Sequence, residues 1–89
     1  MKNGAISITR EEWKEISLLP EVQLAFNNLT FIDLPRIVYG AKYVYPDSEY
    51  EGTVYTLVGA YNGGVRTIIL ERKNDVLKVV GMEVPGDIL

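Results

Sequence analysis

Residues 54–82 read VYTLVGAYNGGVRTIILERKNDVLKVVGM, and two turn signals within this stretch decide the predicted fold. The first is Asn62-Gly63, because Asn and Gly both tolerate the positive φ that a two-residue type I′ hairpin turn requires. A loop closed at that point fixes which residues of the two flanking strands face each other. The predicted pairs are Tyr61 with Gly64, Gly59 with Arg66, Leu57 with Ile68, and Tyr55 with Leu70.

The second turn signal is Asn74-Asp75, which predicts another two-residue loop. It places Glu71 opposite Lys78, and such a cross-strand charge pair supports the register. The other pairs that follow from this loop are Arg72 with Leu77 and Leu70 with Val79. Together the two turns predict three consecutive antiparallel strands.

Because side chains alternate between the faces of a strand, this register divides the residues of the three strands into two sets. The first face contains Tyr55, Leu57, Ile68, Leu70, Leu77 and Val79. The second face contains Val54, Thr56, Val58, Ala60, Val65, Thr67, Ile69, Val80 and Met82. One layer of helices covers only one face, so we expect a partner to cover the second.

The helical layer is predicted from the N-terminal third of the chain. Thr9 and Glu12 have the spacing of a capping box, which opens a helix. Pro20 ends that helix at the preceding residue and suits the first position of a second one. The second helix has a buried stripe at Val22, Phe26 and Leu29. Charged residues of the first helix are placed mostly on its solvent side: Glu11, Glu12, Lys14 and Glu15.

A fourth strand precedes the two hairpins, since residues 36–45 are rich in strand-favouring side chains. The remaining strands are predicted at residues 50–61, 65–72 and 76–83. The sequence therefore predicts a single α+β domain over residues 1–89, with two layers. A helical hairpin or broken helix at about residues 9–28 packs on a four-stranded antiparallel meander at about residues 36–84.

Tyrosines extend the second face of the sheet. If the first hairpin loop runs from Pro46 to Glu49, Tyr45 pairs with Tyr50, and four tyrosines join Val54 and Val58. Tyr is well suited to interfaces because it brings a large area at low entropic cost and keeps a polar tip. The candidate interface residues are Tyr39, Tyr43, Tyr45, Tyr50, Val54, Val58, Val65, Ile69 and Val80. Alternatively, the tyrosines pack over the edge of a small core with their hydroxyls in water.

The composition excludes several kinds of chemistry. The 89 residues contain no Cys and no His, which removes disulfides, the usual structural zinc site, the thiolate nucleophile and the commonest general base. Residues 47–52 begin like an EF-hand calcium loop, but Val58 stands where a bidentate Glu is needed. We predict no cofactor, no metal and no catalytic residue, which favours a non-catalytic protein over an enzyme.

The charge balance bears on possible partners. Nine basic and twelve acidic residues give a net charge of −3, which argues against nucleic-acid binding because that affinity depends largely on Lys and Arg. The sequence shows neither the pattern of a signal peptide nor an apolar window of about 20 residues. We therefore expect a cytoplasmic protein that does not bind membranes.

These observations favour a small non-catalytic protein–protein interaction module. It is expected to self-associate as a homodimer through one sheet face, or to act on another protein as an inhibitor or regulatory partner. One alternative is a small-ligand-binding or catalytic module with a pocket lined by Tyr39, Tyr43 and Tyr55. Another is a weak single-stranded nucleic-acid binder whose charge comes from Arg36, Lys42, Arg66 and Arg72.

Overall fold

The structure is a computed structural model that describes residues 6–45, 52–61 and 64–83. Three short helices precede an antiparallel sheet whose strand order follows the chain, which confirms the predicted α+β arrangement. The elements are α1 (Arg10–Ser17), α2 (Pro20–Ala25), α3 (Leu34–Ile37), β1 (Val38–Tyr45), β2 (Gly52–Tyr61), β3 (Gly64–Lys73) and β4 (Val76–Glu83). In the described part of the chain, no helix has the length and apolar character needed to cross a membrane.

Both boundaries of the helical layer follow local signals. The predicted capping box is present: the Thr9 N–H donates to Glu12 Oε1 at 2.8 Å, and the Glu12 N–H donates to Thr9 Oγ1 at 3.2 Å. Asn27 and Asn28 adopt positive φ, at 65° and 64°, just beyond α2. α2 ends at Ala25, earlier than the predicted stripe, but the apolar residues that follow still pack on the core.

The start of β1 differs from the prediction. Arg36 and Ile37 lie in α3 rather than in the strand. The Thr30 hydroxyl donates to Asp33 Oδ2 at 3.1 Å, which closes a turn just before this helix. Pro35 then occupies its first turn, a position that favours helical geometry. These local signals outweigh the strand preference of Ile37, so the strand begins at Val38.

Both C-terminal hairpins have the predicted register near their turns. The β2–β3 pairs and the β3–β4 pairs named above are all observed. Asn74 and Asp75 have φ of 54° and 64°, as a type I′ turn requires. Residues 62–63, the other predicted turn, lie outside the described residues.

The β1–β2 register is shifted by two residues from the prediction. Tyr45 lies opposite Gly52 rather than Tyr50. A Cβ at Gly52 would lie 2.9 Å from the Arg72 carbonyl oxygen, so glycine lets the chain enter β2 close against β3. Because side chains alternate with a period of two, an even shift leaves every β1 residue on its predicted face.

An irregularity in the β3–β4 ladder overturns one assignment. Leu70 lies opposite Val79 but Ile69 lies opposite Gly81, so Val80 has no direct partner and forms a β-bulge. One extra residue inverts the alternation beyond it. Met82 therefore lies opposite Ile68 on the first face, and its predicted place on the second face was wrong.

The core forms between the helices and the first face of the sheet. Tyr55, Leu57, Ile68 and Leu70 are fully buried there. They pack in one cluster with the buried helical side chains Ile16, Val22, Ala25, Phe26 and Leu34. This confirms the predicted core face, which is called the helix face below; the opposite side is the outer face.

The close approach of α2 to β2 generates a prediction about two glycines. A Cβ at Gly59 would lie 2.7 Å from Phe26 Cε1, and the buried ring has no room to move away. Gly59→Ala should therefore lower the free energy of unfolding in urea by about 1–3 kcal/mol.

The matched control is Gly81→Ala, because a Cβ there would meet only Ile69, at 3.8 Å. This substitution should leave the stability unchanged or raise it by up to about 1 kcal/mol. Equal losses for the two variants would contradict the proposed steric contact.

Candidate functional site

The outer face brings together the described candidate interface residues. Tyr39 lies opposite Val58 and Tyr43 lies opposite Val54 across the β1–β2 pair. From β2 the surface continues onto β3 through Val65 and Ile69, which lie opposite Ala60 and Thr56. Val80 lies at the bulge of β4 and is 52% exposed. The backbone of Tyr45 continues this row, whereas Tyr50 lies outside the described residues.

The described helices leave this face uncovered. Tyr39 is 75% exposed and Val65 is 50% exposed, whereas Tyr55, Leu57, Ile68 and Leu70 on the helix face of the same sheet are fully buried. The other apolar members are partly exposed because they shield one another: Tyr43, Val54, Val58 and Ile69. The outer face is therefore an apolar surface that packs laterally but has no layer above it in the described structure.

Charged residues of the outer face lie on β3 and β4. The register puts Glu71, Lys73 and Lys78 at the corner near the β3–β4 turn, and it puts Glu83 at the other end of β4, opposite Thr67. On β1 and β2 the outer positions carry no charged residue, because Lys42 lies opposite Tyr55 on the helix face. The arginines of β3 also fall on the helix face, so the outer tyrosines have no row of cations beside them.

The structure does not bring together the three tyrosines of the alternative pocket. Tyr39 and Tyr43 lie on the outer face, whereas Tyr55 lies fully buried on the helix face. Among the described residues, no group of three or more potential ligands is placed to hold a metal ion. Residues 47–51 of the calcium-like segment lie outside the described ranges.

A polar network on the helix face was missed by the sequence analysis. Glu12 of α1 accepts hydrogen bonds from Lys42 Nζ at 2.9 Å and from the Tyr55 hydroxyl at 2.7 Å. Arg72 Nε donates to the same hydroxyl at 3.3 Å, and its guanidinium forms an ion pair with Glu15 at 2.5 Å. The guanidinium carbon also lies 5.9 Å from the centroid of the Tyr55 ring. These contacts tie α1 to β1, β2 and β3.

The surroundings of Glu12, Tyr55 and Arg72 shift the pKa values of these three side chains. Partial burial is the largest single influence on the Glu12 carboxyl and raises its pKa. Hydrogen bonds from Thr9 N–H, Lys42 and Tyr55, with the charge of Lys42, outweigh burial and lower the pKa from 4.5 to about 2. Burial raises the pKa of the Tyr55 hydroxyl. The hydrogen bond to Glu15 is the main reason that the pKa of Arg72 is raised.

This arrangement suits a structural clasp better than a catalytic site. A general base needs a pKa near the working pH, and Glu12 is ionised with both carboxylate oxygens already engaged. Tyr55 is fully buried, so a substrate has no access to its hydroxyl. The network therefore fastens the helical layer to the sheet.

The sequence contained a usable signal for part of this network. Once the register is known, Lys42 and Arg72 are the helix-face residues that flank Tyr55 on the neighbouring strands. Two cations beside a core tyrosine require an anion from the covering layer, because a buried charge without a partner is costly. Glu12 and Glu15 were instead assigned to the solvent side, where the exposed part of Glu15 does lie.

The lowered pKa of Glu12 predicts a pH dependence of stability. Because the folded pKa of about 2 lies below the ordinary value of 4.5, the stabilisation is complete above about pH 4.5 and disappears as the pH falls to about 2. Its size is on the order of 3 kcal/mol. Glu12→Gln should remove most of this pH dependence, measured by urea unfolding across that pH range.

Glu11→Gln is the matched control, since Glu11 lies in the same first turn but is exposed. It should retain the acid-dependent loss of stability. If Glu12→Gln loses stability with acid as steeply as the unsubstituted protein does, another carboxylate is responsible.

Removing the Tyr55 hydroxyl tests the centre of the network. Tyr55→Phe leaves Glu12 and Arg72 each without one hydrogen bond, so the free energy of unfolding should fall by about 1–2 kcal/mol. Tyr39→Phe, at an exposed outer-face position, should change it by less than about 0.5 kcal/mol. A Tyr55→Phe protein as stable as the unsubstituted one would show that the clasp contributes nothing.

Comparison of the chain with protein families, with curated proteins and with solved structures finds no match, so its functional interpretation is based on its own geometry.

Proposed function

We propose that this protein is a non-catalytic interaction module that self-associates as a homodimer through the outer face of its sheet. The observation that carries the proposal is the uncovered apolar surface formed by Tyr39, Tyr43, Val54, Val58, Val65 and Ile69. Large exposed apolar patches on a small protein are typical of interaction sites.

The size of the outer face supports a stable dimer. Four strands of about eight residues cover roughly 19 Å by 26 Å, or about 500 Å² in projection. Because side chains project from the sheet, the solvent-accessible area of the outer face is larger than its projected area. A standard interface buries about 800 Å² on each partner. Two outer faces packed together therefore bury somewhat more than about 1,000 Å² in total, which is the lower end of the range for specific interfaces.

Shape and charge favour a second copy of the chain as the partner. Antiparallel sheets pack face to face in sandwiches through apolar side chains of this kind. The charges of the described outer-face residues sum to zero, because Glu71 and Glu83 balance Lys73 and Lys78. A two-fold axis can therefore pair two outer faces without net repulsion.

A dimer would also add stability to a chain that has few other means of gaining it. Eighty-nine residues bury a small core, and the chain contains no Cys for a disulfide. The absence of Cys also supports our proposal of a cytoplasmic location. A second candidate function is the inhibition or regulation of another protein through the same face. The experiment below distinguishes it from the homodimer.

A charge placed on the outer face should prevent self-association. Ile69→Glu puts a carboxylate at the middle of the patch on β3, and burying it unpaired should weaken the dimer at least about 100-fold. Thr67→Glu, two residues away on the same face, provides a second variant. Sedimentation equilibrium should give twice the 10.0 kDa mass for the unsubstituted protein and 10.0 kDa for both variants.

The control is Leu24→Glu on α2, since Leu24 is 75% exposed but lies in the helical layer. It should remain dimeric, and far-ultraviolet circular dichroism should show that all variants are folded. A monomeric unsubstituted protein at micromolar concentration would overturn the homodimer. A heteromeric complex in lysate that Ile69→Glu abolishes would assign the face to another protein.

A further inference from the structure

A groove lies beside the edge of the sheet and reaches the outer face at Tyr39 and Val58. It consists of two adjoining cavities of about 490 Å³ and 440 Å³ that share Trp13 and Pro35 as a common wall. The first is completed by Arg10, Phe31 and Ile32. The second runs along β1 past Arg36, Ile37 and Tyr39. Volumes of this size are typical of binding pockets.

The walls of the groove are apolar, but both of its cavities carry a cation. Three large exposed side chains lie along the groove: Ile32 just before α3, Ile37 in α3 and Tyr39 on β1. Arg10 lines the first cavity and Arg36 lines the second, and no carboxylate among the described residues lines either cavity. Within the described residues, neither guanidinium forms an ion pair or a side-chain hydrogen bond. In a chain of net charge −3, this groove is locally positive.

Unpaired backbone groups lie at the same place. Lys42 exchanges two hydrogen bonds with Ile6, at 2.8 Å and 3.3 Å, on the side of β1 that faces away from β2. Alternation along the strand points the N–H and C=O of Gly40 to that same open edge. No described residue pairs with them there. Gly40 also lines the second cavity, so the groove offers a donor and an acceptor.

We propose that this groove binds an extended acidic peptide segment, in which apolar residues are flanked by Asp or Glu. The apolar side chains would occupy the cavities against Trp13, and the flanking carboxylates would pair with Arg10 and Arg36. The peptide backbone would pair with Gly40 as a short added strand. Two cavities in line, two cations and an open strand edge match a peptide better than a single compact ligand. The second cavity shares Tyr39 and Val58 with the outer face, so a peptide in the groove and a second copy on the outer face would compete for these two side chains.

The test uses Trp13, which is the only tryptophan in the chain and lies in the shared wall. Its emission is recorded while synthetic peptides acetyl-Asp-X-X-Glu-amide are added up to millimolar concentration, with each X being Leu, Ile, Phe or Met. We expect at least one peptide to change the emission with saturation. The same peptides with Lys in place of both acidic residues should give no change, and added salt should weaken the acidic peptides.

Charge variants identify the groove as the binding site. Arg10→Gln combined with Arg36→Gln should weaken the best peptide by about tenfold. The matched control is Lys14→Gln, which removes an exposed cation of α1 that does not line the groove, and it should leave the affinity unchanged. The Ile69→Glu protein, which is expected to be monomeric, should bind the peptide at least as tightly as the unsubstituted protein does.

Three results would overturn the proposal. One is the absence of any emission change with every acidic peptide. Another is equal binding of the acidic and lysine peptides, which would indicate unselective apolar contact. The third is a change of Trp13 emission with protein concentration in the monomeric Ile69→Glu protein, which would show that a second copy occupies the groove.

Discussion

The register of the β2–β3 hairpin is the constraint on which the rest of the structure depends. With Tyr55 opposite Leu70 and Leu57 opposite Ile68, four bulky side chains point to one side and are fully buried. A slip of one residue would exchange the two faces. The helical layer, the buried network and the uncovered outer face all follow from this single choice of register. Only two residues separate Tyr61 from Gly64 along the chain, and this short connection fixes the register.

Tyr55 links the apolar core to the polar clasp. Its ring packs in the hydrophobic cluster, while its hydroxyl donates to Glu12 and accepts from Arg72. A buried hydroxyl needs such partners, and each ion gains a counter-ion from another element. The clasp thus gives α1 a defined position on the sheet. Apolar contacts alone would define that position less well, because they are not directional. By positioning α1, it also positions Trp13 at the wall of the groove.

The two sides of the sheet serve different purposes in this interpretation. The centre of the helix face is buried, and its charged residues Lys42 and Arg72 are paired with Glu12 and Glu15. The outer face is apolar and has no described layer above it, which supports the proposed self-association. Its boundary is shaped by the bulge at Val80, which sends Met82 to the other side and narrows the apolar surface on β4. A bulge also twists an edge strand, and this discourages uncontrolled pairing at that edge.

From the sequence alone we could predict the fold class, the register of both C-terminal hairpins near their turns, the core face and the capping box, because these depend on alternation along the strands and on contacts three residues apart. Only the tertiary structure decided the bulge at Val80, the two-residue shift at Gly52 and the short helix before Val38, where close backbone approach or competing local preferences set the outcome. The contacts of the clasp also depend on the tertiary structure. Glu12 and Lys42 are thirty residues apart, so their pairing depends on how the helical layer sits on the sheet. The groove beside Trp13 exists for the same reason.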